Sequence, residues 1–252
     1  MSFKLMKKIL VSVRVFKNWY MVPLDRLRVV KFVDYKIRSG AIMRCRGGST
    51  DSGTVAVIFS GYEYPPNSIK PCSFPENPSV WDLGANIGAF SVWVSRQLKG
   101  GNFLCVEPDE GNISMLKHNF SLNGLGNVEI IQGVVGAEDG MIRVDYERAK
   151  DAICITNNET GTLTPQYKLE SLAKKYGVKR IHLLKVDIEG AECSVLQSAA
   201  SFINEHVDKM IVEIHGLVKG LAHPLANDFK ENFNVTLIHD NVLCFVSKKL
   251  SF

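Results

Sequence analysis

Asp82-Leu83-Gly84-Ala85-Asn86-Ile87-Gly88-Ala89-Phe90, set between the apolar run Ser79-Val80-Trp81 and an amphipathic stretch, is the segment that decides the fold. Gly84 and Gly88 lack the Cβ atoms that would hold a backbone away from a ligand, and they tolerate the dihedral angles of a tight strand-to-helix turn. Phe90, Trp93, Val94 and Leu98 recur at helical spacing, so a helix follows whose N-terminal amides can face an anionic group. The spacing is not the G-x-G-x-x-G of a dinucleotide site, because Ala85 and Asn86 separate the glycines and acidic Asp82 precedes them. It suits S-adenosylmethionine better. That ligand has no pyrophosphate to wrap but carries an amino group that calls for a carboxylate.

From Trp81 onward strand and helix signals alternate, which predicts a mostly parallel sheet covered on both faces. Strands are expected near 79–83, 102–107, 127–133, 183–188, 210–215, 233–238 and 242–247, with helices near 88–98, 109–122, 168–176 and 190–204. The second of these helices stops at Asn123-Gly124, and the fourth carries Val195, Leu196, Ala199 and Ile203 on one stripe. Met141–Tyr146 and Ala152–Thr156 read as an inserted hairpin. Only His239-Asp240-Asn241 joins the last two strands, too short a link for a parallel crossover, so that pair must be antiparallel. Gly61–Pro78, rich in Pro, Tyr and Ser, reads as a connector.

With 46% hydrophobic and 22% charged residues in 252, the composition is that of an ordinary globular chain, large enough for one α/β domain with a small cap. The formal net charge of +4 hides an asymmetry. Residues 1–46 hold twelve Lys or Arg against Asp25 and Asp34, a net +10, and the remainder is about −6. Such a basic segment suits an anionic partner such as a phospholipid headgroup, an acidic glycan or nucleic acid, or is simply a solvated face on the cap. Met6, Leu10 and Val13 alternate with Lys7, Lys8 and Arg14, a pattern that could lie on an anionic bilayer. Ile9–Val13 is too short an apolar core for a secretory signal, and no stretch approaches the length of a membrane span. The six cysteines are scattered without a C-x-x-C pair, which suits reduced thiols in a cytoplasmic protein, peripheral to a membrane at most.

Three stretches carry candidate chemistry. Leu104-Cys105-Val106-Glu107-Pro108 ends a strand with a carboxylate about 20 residues beyond the first glycine, where it can accept the ribose hydroxyls. Residues 183–192, L-L-K-V-D-I-E-G-A-E, crowd three carboxylates at the carboxyl edge of the sheet, where open α/β sheets bind ligands. Asp187 and Glu189, two apart, share a face if the strand runs that far. Glu192 is expected to complement the dipole of the next helix and to lie outside the crevice. An acid such as Asp187, ending an apolar strand beside a cofactor cleft, has no inexpensive structural role. In M-I-V-E-I-H-G, residues 210–216, Glu213 and His215 alternate onto one face and Gly216 lets the chain leave sharply. The other histidines have no comparable context.

The order of these pieces resembles the FkbM family of S-adenosylmethionine-dependent methyltransferases. D-L-G-A-N-I-G-A-F-S, V-E-P, G-V-V-G-A-E-D-G, L-L-K-V-D-I-E-G-A-E and I-V-E-I-H-G carry the likeness, with D-I-E-G-A-E its most specific block. The likeness covers roughly residues 45–247, with Arg46–Asp51 similar to the family's segment ahead of the cofactor domain. It implies a Rossmann-like class I methyltransferase fold, a seven-stranded, mostly parallel sheet with an antiparallel last strand, plus a small N-terminal cap. The corresponding division is a basic cap and leading segment over 1–76 and an S-adenosylmethionine-binding domain over 77–252.

The function implied is O-methylation of a hydroxyl on a glycan, glycolipid or secondary metabolite. Asp82, Gly84, Ala85, Asn86 and Gly88 would hold the methionine end, Glu107 the ribose, and Gly133–Val135, with Val134 at the centre and Glu138 and Asp139 just beyond, the adenine. Asp187 joins the cofactor set. It is also, with Glu189 and His215, a candidate base, His215 being expected to take the proton while Asp187 orients it or the acceptor. Nucleic-acid methylation is the weaker reading, because V-D-I-E-G stands where an N-P-P-Y-like motif would follow the fourth strand, and no nucleic-acid partner is expected. A non-catalytic S-adenosylmethionine-binding module is the rival from another class. Asp187 and Glu189 could hold Mg²⁺, but no dedicated oxygen cage is legible and no metal is expected.

Overall fold

The computed structural model describes residues 11–65, 74–145, 154–155, 161–215 and 220–250. Helix α1 (Val22–Arg26) leads into a hairpin, β1 (Phe32–Lys36) and β2 (Ile42–Arg46), followed by α2 (Asp51–Phe59). β3 (Ser79–Leu83), α3 (Ala89–Ser95), β4 (Asn102–Glu107), α4 (Glu110–Asn123) and β5 (Val128–Gln132) then alternate. Four short strands come next, β6 (Val134–Val135), β7 (Gly140–Asp145), β8 (Cys154–Ile155) and β9 (Thr162–Tyr167). The chain continues through α5 (Leu169–Lys175), β10 (Leu183–Val186), α6 (Glu192–Ser198), α7 (Ala200–His206), β11 (Lys209–Glu213), α8 (Pro224–Phe229), β12 (Phe233–His239) and β13 (Val242–Ser247).

Seven strands form the central sheet in the order β12-β13-β11-β10-β3-β4-β5, with β13 antiparallel to both neighbours and the other pairs parallel. Near-continuous apolar runs are what strands buried on both faces require. Their side chains alternate between two cores. Val80, Phe103, Cys105 and Leu183 face one side, where α2, α3, α4 and the β1–β2 hairpin pack. Trp81, Leu83, Leu104, Val106 and Leu184 face the other, beneath α5, α6, α7 and α8. The front segment therefore shares a core with the sheet rather than building its own.

Asn119 and Asn123, one helical turn apart on α4, act as a surrogate strand for the hairpin. Their side-chain oxygens accept from the amides of Arg44 and Ile42, and their Nδ2 groups donate to the carbonyls of the same two residues. The edge of β2 is thus satisfied by a helix.

Three local expectations change. The helix read over 190–204 breaks at Ala199, whose φ of −97° and ψ of 13° separate α6 from α7. Periodicity could not show this, since the buried stripe of Val195, Leu196, Ala199 and Ile203 runs through the break. The inserted hairpin belongs to a four-stranded sheet ordered β6-β9-β7-β8, with β7 paired to β8 over two residues and to β9 over five. The strand read over 183–188 ends at Val186. Among the described residues no helix is long and apolar enough to cross a membrane. Cys45, Cys105 and Cys193 are free thiols. Met6, Leu10, Lys7 and Lys8 of the basic stretch, Cys72 and Gly216 lie outside the described residues, as does the side chain of Cys154.

Candidate active site

β3 and β10 lie side by side at the point where the sheet's winding reverses, so their carboxyl ends open a crevice. The turn after β3 fits into it by backbone contact. Gly84 has φ +76°, and a Cβ there would lie 1.8 Å from the carbonyl oxygen of Asp187, so only glycine lets the β3 and β10 ends approach this closely. The amides of Gly84 and Ala85 both donate to the Val106 carbonyl, at 3.0 Å each. A cleft of about 920 Å³ lies over this turn, walled by Gly84, Asn86, Glu107, Val134, Asp187 and Glu189 among others.

Glu107 ends β4 almost fully buried. Its Oε2 accepts from the Asn86 amide (2.8 Å) and its Oε1 from the Asp109 amide (3.1 Å) and Asn112 Nδ2 (3.0 Å). Burial raises its pKa against these bonds. The Asn112 side chain also accepts from Arg46, whose guanidinium is paired at 2.9 Å with buried Asp51. A continuous polar chain thus runs from the leading segment to the β4 carboxylate.

On the other side of the cleft, carboxylates surround His215. Its Nδ1 lies 2.9 Å from Glu192 Oε1, and its Nε2 lies 3.3 Å from Glu189, 3.9 Å from Asp187 and 4.0 Å from Glu213. The Glu192 bond, reinforced by the charges of Glu189 and Asp187, pushes the imidazole up to about 9. Burial and the neighbouring Asp187 raise Glu189 to about 7, and burial together with Glu213 raises Glu63 to about 7. Burial works against the Glu192 carboxylate, but the His215 bond and the Gly190 amide outweigh it and lower its pKa. Asp187, Glu213 and His215 each offer one ligand atom, all within 4.8 Å of one another, a set able to hold a divalent cation.

Lys185 sits beneath this cluster, with Nζ 3.2 Å from Asp82, 3.3 Å from Asp187 and donating to the Gly84 carbonyl at 2.8 Å. Burial disfavours its ammonium, yet the two carboxylates raise its pKa and keep it charged.

Residues 82–231 match the methyltransferase FkbM domain family, more than half of the chain. The chain belongs to that family. It is 26% identical over 164 residues to "Methyltransferase 1" of Beauveria bassiana, and 29% identical over 175 residues to "Methyltransferase sdnD" of Sordaria araneosa. Each match covers 56% of this chain, and they span 66% and 68% of those relatives. The crystal structure of methyltransferase FkbM from Methylobacillus flagellatus superposes with a TM-score of 0.54 at 16% identity, covering 90% of this chain and 59% of that one, which shows the shared fold.

Within this FkbM domain, Gly84, Asn86, Glu107, Val134, Asp187 and Glu189 stand on the cleft wall. Asp82, Ala85, Gly88 and His215 do not; His215 stands behind Asp187 and Glu189. Asp82 is fully buried, accepts from the Ser91 hydroxyl at 2.7 Å and faces Lys185, so it neutralises a buried cation behind the wall. Ala85 is buried, and Gly88 starts α3 in the left-handed region against Phe120. Asp187 and Glu189 meet through a turn, Glu189 having φ +56°, rather than through strand alternation. Glu192 complements the first turn of α6 and is not on the cleft wall, as expected, but it bonds to His215 behind that wall. Asp139 is held by the Lys168 amide and the Ser171 hydroxyl, and neither it nor Glu138 lines the cleft. Sequence reasoning passed over Lys185 and Glu63. A lysine inside the apolar run L-L-K-V was the available signal for the first, whereas Glu63, in the Pro/Tyr-rich connector, had none.

Proposed function

We propose that this FkbM-domain protein transfers the methyl group of S-adenosylmethionine to a hydroxyl, on a glycan, glycolipid or secondary metabolite. The observation that carries the reading is the pairing, in one cleft, of the Gly84 turn closed onto Asp187 with buried Glu107 bonded to the Asn86 amide. The missing Cβ of Gly84 lets the end of β3 close onto Asp187 and brings that carboxylate into the same cleft as Glu107, which keeps lone-pair capacity for a ribose hydroxyl beyond its three internal bonds. Val134 would border the adenine. Asp187 and Glu189, on the opposite wall, favour positive charge, as a sulfonium and an ammonium need. When bound, the cofactor would supply the electrophilic methyl carbon and accept the electron pair of the broken C–S bond.

The chain's own task is then alignment and removal of the hydroxyl proton. His215 and Glu189 are the acceptors in reach of one another. With its pKa pushed up to about 9 by the carboxylates around it, His215 holds its proton at pH 7. Glu189, raised only to about 7, titrates near neutral pH and opens directly onto the cleft. We therefore assign proton uptake at neutral pH to Glu189, with His215 as the cation that shapes the carboxylate cluster and Asp187 as the group that orients the acceptor. Calorimetry tests the cofactor: S-adenosylhomocysteine should bind and raise the melting temperature, and NAD should do neither. Binding of NAD without S-adenosylhomocysteine overturns the reading.

A further inference from the structure

We propose that residues 19–32 dock the protein onto an anionic lipid surface, at the rim of the cleft. Among the described residues, six of the eleven large apolar side chains left exposed fall in this one segment: Trp19, Tyr20, Leu24, Leu27, Val29 and Phe32. Their arrangement follows from helical geometry. A 3₁₀ turn over Trp19–Met21 runs into α1, so Met21, Val22 and Asp25 point inward, the first two onto the core and Asp25 to the Tyr35 hydroxyl and the Gly48 amide. Tyr20, Leu24 and Leu27, spaced i, i+4 and i+7, form the opposite stripe, with Tyr20 63% and Leu27 72% exposed. A helix apolar on both faces is expected to be covered on both.

Charge selects what covers the outer face. Arg14, Lys17, Arg26, Arg28 and Lys36 are exposed and have no carboxylate partner among the described residues, while Asp25 is buried and Asp34 is paired with Arg44. The segment therefore presents aromatic and leucine side chains beside an excess of exposed, unpaired cations, the composition of an interfacial lipid anchor. Arg26 and Arg28 also line the cofactor cleft, which ties the docking face to the site. Arg28 holds its position at φ +58°, and its side chain lies over Gly48, where a Cβ would come within 2.3 Å of Arg28 Cγ. Gly48 thus leaves room for the Arg28 stem, and the left-handed backbone of Arg28 itself is a strain that persists only where the surroundings impose it. Docking stands on this surface alone. Its use, presenting a lipid-borne, phosphate-bearing hydroxyl acceptor to the cleft, rests on the methyltransferase reading.

Co-sedimentation of the full chain with vesicles tests it. We expect binding to phosphatidylcholine containing about 30% phosphatidylglycerol, little binding to pure phosphatidylcholine, and a marked loss at high salt. Leu24→Ser with Leu27→Ser, on the outward stripe, should weaken vesicle binding at least about tenfold, and calorimetric affinity for S-adenosylhomocysteine should stay unchanged. Arg26→Ala with Arg28→Ala should weaken vesicle binding about twentyfold at low salt. Failure of the wild-type chain to sediment with anionic vesicles overturns the proposal, and so does equal binding by the leucine variant. A dimer that the leucine variant disperses, without vesicle binding, assigns the face to a second copy instead. Loss of S-adenosylhomocysteine binding by the wild-type chain would sink the methyltransferase reading and leave the vesicle result standing.

Discussion

Replacing Glu192 with Gln tests the electrostatics of the site, because this carboxylate is the main cause of the raised His215 pKa. The folded chain binds the His215 proton at about 9, against an ordinary 6.5. Protonation therefore favours folding. The contribution is complete below pH 6.5 and drains away as pH rises to about 9. Taken at face value the shift is worth about 3 kcal/mol, but the ring is 27% exposed and solvent screening reduces this to about 1–2 kcal/mol. Glu189, raised from its ordinary 4.5 to about 7, acts with the same sign over a lower window, losing stability as pH rises from 4.5 through 7. Gln keeps an oxygen for the Ile188 and Gly190 amides while it removes the charge and turns the other oxygen into an NH₂ donor. In Glu192→Gln, His215 should titrate about one to two pH units lower, and the loss of stability between pH 6.5 and 9 should shrink to under about 1 kcal/mol. The His215 ring signal, assigned by its disappearance in His215→Gln, reports the midpoint by NMR, and urea unfolding at several pH values reports the stability. A variant midpoint still near 9, or a wild-type midpoint near 6.5, refutes the reasoning.

Two further outcomes follow from the same groups. Lys185→Met leaves Asp82 and Asp187 facing each other without their shared cation, a loss of about 3–5 kcal/mol; adding Asp82→Asn should restore a good part of it in chemical denaturation, and no rescue would show that Lys185 acts through packing alone. Once an acceptor hydroxyl is in hand, the transfer rate should rise with pH through a midpoint near 7 that Glu189→Gln abolishes. A midpoint near 9 that vanishes in His215→Ala would instead make His215 the base.

Local chemistry carried much of the fold. Glycines at 84 and 88, apolar runs ending in Glu107 and Asp187, and a three-residue link at 239–241 are short-range features, and the backbone has few ways to satisfy each. They were enough to place the central strands and to put Glu107 and Asp187 at the carboxyl edge. What meets what was decided elsewhere. Lys185 and Asp82 are register partners on adjacent parallel strands, a pairing that neither strand reveals alone. Glu192 reaches His215 across 23 residues because a turn with Glu189 in the left-handed region swings α6 back over the crevice. Asn119 and Asn123 find the backbone of β2 from 75 and 81 residues away. Tyr20, Leu24 and Leu27 carried no sequence signal of their own, and the packing of Met21 and Val22 inward is what leaves them on the outside. Periodicity along a chain sets the direction in which each side chain leaves its element, whereas the partner it meets depends on register and on which face the core has already taken.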